Sequence, residues 1–125
     1  MGVQGLPSDS NTPIAELKRQ VLAMCRRKGW GDENGVQNPQ HVAMAMTVEM
    51  SELLEHFQWL DPADVDRLLS GGDPARVALI AEEFADVMMY GLQLADALHI
   101  DVTEQILRKI DIVDRRTPKP NEPKR

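Results

Sequence analysis

The sequence is short of cysteine, of aromatic residues and of runs that would make strands. Cys25 is the only cysteine. An internal disulfide or a thiolate zinc cluster is therefore excluded, and a reducing compartment, the cytoplasm, is the expectation. Aromatic residues make up 4% of the chain and strand-forming β-branched runs are absent, so the composition leans towards helix. No apolar stretch approaches the roughly 20 residues that cross a bilayer. The N-terminus lacks a basic segment followed by an apolar run, so no signal peptide is expected. A cationic excess is missing too. A net charge of −6 argues against a nucleic-acid polymer or an anionic membrane as partner. It leaves room for a small anionic ligand, because a bound divalent cation reverses the local sign.

What is present suffices for one domain. The 125 residues are 42% hydrophobic and 27% charged, enough to bury a core. Residues 1–11 are rich in Gly, Ser, Pro and Asp without periodicity and read as a flexible lead-in. Residues 12–116 form the folded part. The proline-rich, charged segment 117–125 (TPKPNEPKR) reads as a disordered tail.

Four dipeptides punctuate the folded part. Thr12-Pro13 reads as an N-cap with proline in the first helical position, opening a helix that closes near Lys28-Gly29. After the loop WGDENGVQ, Asn38-Pro39 opens a second helix running to about Leu60. Asp61-Pro62 opens a short one that Gly71-Gly72 stops, and Asp73-Pro74 a long one to about His99. Asp101 caps the last helix, whose Ile106, Leu107, Ile110 and Val113 are expected to face inward. Four main helices and no strand pair predict an all-α, four-helix-bundle-like domain.

Two acidic doublets stand out against this frame. Glu49 and Glu52 are three residues apart, as are Glu83 and Asp86, so each doublet shares one helix face. On a wheel of about 100° per residue, the first doublet lies among Val42, Ala45, Met46, Leu53, Phe57 and Leu60. The second lies among Leu79, Ile80, Val87, Tyr90 and Leu94. A single doublet would read as a solvated surface face. Here both fall on the apolar sides of the two longest helices, the expected central pair, and Arg76 is the only cation near either stripe. Four gathered carboxylates need a cation, and Mg²⁺ fits, because it takes oxygen ligands while keeping sites for water and phosphate. Such a site suits hydrolysis of phosphate anhydrides, with a further carboxylate available to take a proton from water.

Other catalytic kits are missing. There is no GxxxxGK[ST] loop and no Glu-x-x-His pair of the di-iron bundles. Cys25 has no histidine near it in sequence and reads as a core thiol, and Asp96 in DALH points away from the acidic stripe. His56 lies on the acidic side and fills the site edge.

The ExxE at Glu49/Glu52 followed by ExxD at Glu83/Asp86 resembles the MazG-like nucleoside triphosphate pyrophosphohydrolases. Three surrounding stretches share the resemblance: RKGW, ELLEHFQW and EEFADVMMYGLQLADALHIDV. It covers about residues 14–118 and is closest to the branch that cleaves dCTP. It implies an all-α fold and Mg²⁺-dependent hydrolysis of a (deoxy)nucleoside triphosphate to the monophosphate and pyrophosphate, with Mn²⁺ as a possible substitute, in a house-cleaning role. It implies that Glu49, Glu52, Glu83 and Asp86 bind the metal. Trp30, Trp59 and Tyr90 fall on positions lining a nucleoside pocket, and Lys28 and Lys109 on basic positions near the phosphates. A homodimer or homotetramer with the pocket between subunits is implied as well.

The chain departs from the family at its closing segment. Where relatives carry KxxxNxxxYP, KIDIVDRRTP places Val113 and Thr117, and Val113 offers no amide to phosphate or sugar. Gln37 stands where a histidine is common, in a longer loop, so base preference is not implied. A non-catalytic helical module that binds nucleotide or metal stays open beside the enzyme, as does a structural oligomerisation bundle.

Overall fold

Three helices begin where an amide or carboxylate side chain precedes a proline. Asn38 accepts the backbone N–H groups of Gln40 and His41. Asp61 and Asp64 accept each other's backbone N–H, closing a capping box. Asp73 accepts the N–H of Arg76 and pairs with its guanidinium at 3.1 Å. The proline that follows costs nothing, because the first helical N–H groups have no partner within the helix. Asp101 caps the last helix by accepting the N–H of Glu104 at 2.8 Å.

The computed structural model describes residues 5–116. It comprises α1 (Ile14–Arg27), α2 (Pro39–Glu55), α3 (Pro62–Ser70), α4 (Pro74–Ala97) and α5 (Val102–Asp114), with no strand among the described residues. The tail expected from Thr117 lies outside the described residues. Within the expected lead-in, Ser8 and Asn11 close a turn, the N–H of Asn11 donating to the Ser8 carbonyl at 3.1 Å.

Two boundaries differ from the sequence reading. Thr12 does not cap α1: its hydroxyl donates to the Asn11 side chain at 2.8 Å. Pro13 takes the cap position without a side-chain bond. The second helix stops at Glu55 rather than Leu60. His56, Phe57 and Leu60 each donate to the carbonyl three residues back, which tightens the chain into turns ahead of Asp61-Pro62. A residue before proline is pushed out of the helical region, so α2 could not run on to that junction.

Three of the helix ends are built alike. Gly29 at φ +70° closes α1, with its own N–H donating to Arg26 and that of Trp30 to Cys25. Gly71 closes α3 in the same paired pattern, and His99, at φ +55° without being glycine, closes α4. The first of these motifs places Trp30 at the head of the following loop.

α2 and α4 form the central pair, with α1 packed on α4 and α3 touching it. The core is thin: Cys25, Val42, Leu53, Val87, Leu92 and Ala95. The inward orientation expected for the last helix is corrected by the structure. Ile106, Leu107, Ile110 and Val113 are 52%, 61%, 51% and 44% exposed. Their spacing does make one apolar face, but among the described residues no other helix covers it fully. No helix of the described residues is long and apolar enough to cross a membrane.

Candidate active site

Helical periodicity puts Glu49 one turn from Ala45 and two from Val42 on α2. It puts Asp86, Tyr90 and Gln93 on one face of α4. The two helices run antiparallel past each other. Val42 and Ala45 share a cleft with Tyr90 and Gln93, and Glu49 meets Glu83 and Asp86. The acids therefore sit along the middle of the helix pair, and the cleft opens beside them, towards the start of α2 and the end of α4.

Glu49, Glu83 and Asp86 each offer an oxygen within 4.8 Å of the other two. Glu52 is more exposed and stands outside this trio, yet close enough that its carboxylate acts on both Glu49 and Glu83. One carboxylate oxygen of Glu49 and one of Glu83 are fully buried without any hydrogen-bond partner. Burial, then the neighbouring carboxylates, raise the pKa of Glu49 and of Glu83. Only His56 opposes this at Glu83, by favouring the charged form. None of the ion pairs among the described residues reaches these acids, and Arg76 is taken by Asp73. Buried, partnerless oxygens in a converging acidic set fit a hard divalent cation, which supplies the charge that the protein does not.

The adjoining cleft has a volume of about 740 Å³ and is walled by α2, α4 and the loop from Trp30 to Asn38. That loop is held by its own backbone. The Asp32 side chain accepts the N–H groups of Asn34 and Val36 at 2.9 and 2.8 Å, and the Asp32 N–H donates to the Val36 carbonyl. Gly31, at φ +101°, has no room for a side chain: a Cβ there would lie 3.0 Å from the Gly35 carbonyl carbon. Tyr90 links cleft and acids. It lines the cleft, and burial followed by the charges of Glu49 and Asp86 raises its pKa.

The nine residues singled out in the sequence divide accordingly. Glu49, Glu52, Glu83 and Asp86 come together, and Trp30 and Tyr90 line the cleft next to them. Lys28, Trp59 and Lys109 do not join them within one chain. Lys28 is the exposed C-cap of α1, Trp59 is 86% exposed, and Lys109 lies on α5 beside Ile106 and Ile112. Sequence reasoning missed Gln93, Asp32 and His41, which also line the cleft. Gln93 had a readable signal, a polar residue between Leu92 and Leu94 one turn from Tyr90.

The model of the MazG-like family matches residues 44–124, which carry all four acids, and the chain belongs to that family. It is similar to human dCTP pyrophosphatase 1, with 35% identity over 105 residues covering 84% of this chain and 59% of that protein. The mouse dCTP pyrophosphatase 1 is 31% identical over the same share of each chain. The chain thus spans 59% of the length of these curated relatives. Among solved structures, a pyrophosphatase from Archaeoglobus fulgidus superposes with a TM-score of 0.68 at 26% identity. That likeness covers 94% of this chain and 100% of the other. The helical architecture is that of a MazG-like protein.

Proposed function

We propose that this chain is a nucleoside triphosphate pyrophosphohydrolase, cleaving a (deoxy)nucleoside triphosphate to the monophosphate and pyrophosphate. The observation that carries the reading is the pair of buried, partnerless oxygens on Glu49 and Glu83, opening beside a nucleoside-sized cleft. The dCTP pyrophosphatases among the relatives support it.

Glu49, Glu83 and Asp86 would hold Mg²⁺, with Mn²⁺ as a substitute. The bound cation supplies charge screening for the phosphates and a lower pKa for a coordinated water. The protein's own part is positioning and proton handling. Trp30 and Tyr90 hold the nucleoside against the loop and α4, so that the phosphate chain extends towards the acids. Glu52, more exposed and beside Glu49 and Glu83, accepts the proton of the attacking water through its carboxylate. Removal of non-standard or excess nucleotides in the cytoplasm is the corresponding role.

Lys28, Trp59 and Lys109 are not among the residues lining the cleft, and assembly of copies of the chain would give them a route to one. The uncovered apolar face of α5 supports a homodimer or homotetramer. Their absence from the cleft lining in one chain also motivates the second reading, a module that binds nucleotide without turnover.

A panel of nucleotides incubated with Mg²⁺ tests the proposal. Monophosphate and pyrophosphate are the expected products. Orthophosphate would place cleavage at the wrong bond, and tight binding without product would favour the second reading.

A further inference from the structure

Gln93 is the most deeply buried polar side chain described, 2% exposed, and its side-chain oxygen has no hydrogen-bond partner. It does not belong to an internal polar network. Its neighbours on α4, Leu92 and Ala95, are core residues. Burying an amide oxygen unpaired is unfavourable, and a leucine would serve the core better at this position. The same side chain forms part of the cleft wall, next to Tyr90. Glu83, Asp86, Tyr90 and Gln93 follow one another along one face of α4, spanning about 15 Å at 1.5 Å per residue. Acids, aromatic ring and amide therefore lie in the order in which a nucleotide presents phosphates, sugar and base.

We propose that Gln93 is the base-reading residue of the cleft, pairing through its carboxamide with a nucleobase edge that offers an N–H beside an acceptor. This rests on the pyrophosphohydrolase reading for the orientation of the ligand. A carboxamide carries one acceptor and two donors, so it can bind such an edge through two bonds. An incoming N–H would supply the partner that the buried oxygen lacks. The residue acts on which nucleotide is held and takes no part in bond cleavage.

The experiment compares wild type with Gln93→Leu, which keeps the volume and removes the amide, and with Gln93→Asn, which keeps the amide and draws it back. Two readouts are taken on the full chain. The first is kcat/KM for the four common dNTPs and for a base-less deoxyribose triphosphate. The second is calorimetric binding of the corresponding nucleoside monophosphates, which needs no turnover. The expected result is a loss of about 10- to 100-fold for the preferred nucleotide in Gln93→Leu, carried by KM, with the base-less substrate unchanged. Gln93→Asn should reorder the four bases. Equal losses on every substrate, the base-less one included, would make Gln93 structural and overturn the proposal. So would an unchanged base ranking, a change confined to the assembly state, or failure of wild type to bind any nucleoside monophosphate. Absence of turnover in wild type, with base-selective binding that Gln93→Leu abolishes, would sink the enzymatic reading and leave the role of Gln93 standing.

Discussion

Glu49 on α2 and Glu83 on α4 each turn one carboxylate oxygen into the protein, where neither meets a donor. The two helices with the most extensive contact among the described residues are thus held face to face across mutually repelling groups. The stability of this contact should depend on whatever neutralises them.

A pH dependence follows, and its sign is fixed. Burial first, then neighbouring acids, raises both carboxyls above their ordinary 4.5. A group with a raised folded-state pKa gives its full stabilisation below the unfolded value and loses it as pH climbs through the folded one. In EDTA the melting temperature should therefore fall as pH rises from about 4.5 through the raised values. Saturating Mg²⁺ binds the ionised form and should abolish the fall. A flat profile in EDTA, or one insensitive to Mg²⁺, would contradict the cation site.

Glu49→Gln separates the two roles of the charge. The amide removes one repelling carboxylate, so the metal-free protein should melt no lower than wild type. Turnover should drop by about 100-fold or more, because a catalytic cation contributes several kcal/mol to charge stabilisation. Calorimetry should show weaker Mg²⁺ binding in parallel. Retained activity would remove Glu49 from the site.

The sequence was most legible where local chemistry decides. Asn38, Asp61 and Asp73 cap their helices as the residue pairs suggest, because capping depends only on the next turn. Thr12 failed as a cap since Asn11, one residue away, holds its hydroxyl. Three of the four acids were legible because periodicity alone puts Glu49, Glu83 and Asp86 on the packed face, while Glu52 lies exposed at its edge. The cleft was not: Asp32, His41 and Gln93 come from three separate segments. The face of α5 was legible as apolar, but a pattern does not say what, if anything, covers that face.

That face carries its own prediction. Ile110→Asp places a charge in the middle of a stripe that includes Ile106 and Leu107, each more than half exposed in the single chain. The substitution should leave helix content unchanged and shift the sedimenting mass towards the 14.0 kDa monomer. If Lys109, the residue before it, reaches a neighbour's phosphates, activity should fall with the mass. An unchanged mass would show that α5 does not hold copies together.

Gly31 tests whether the loop is a built wall or a passive connection. Its φ of +101° suits glycine, and a Cβ would lie 3.0 Å from the Gly35 carbonyl carbon and 3.1 Å from the Val36 oxygen. Backbone atoms cannot yield as a flexible side chain does, so Gly31→Ala must open the Asp32–Val36 closure or carry strain of about 1–3 kcal/mol. The loop lies outside the α2–α4 core, so global stability should change by no more than this. The Trp30 wall of the cleft depends on the closure directly. KM for the nucleotide should rise by about 5- to 100-fold, the same strain expressed as affinity, with kcat changing less because the acids stand on the helices. A fall in kcat at unchanged KM would mean instead that the loop takes part in the chemical step.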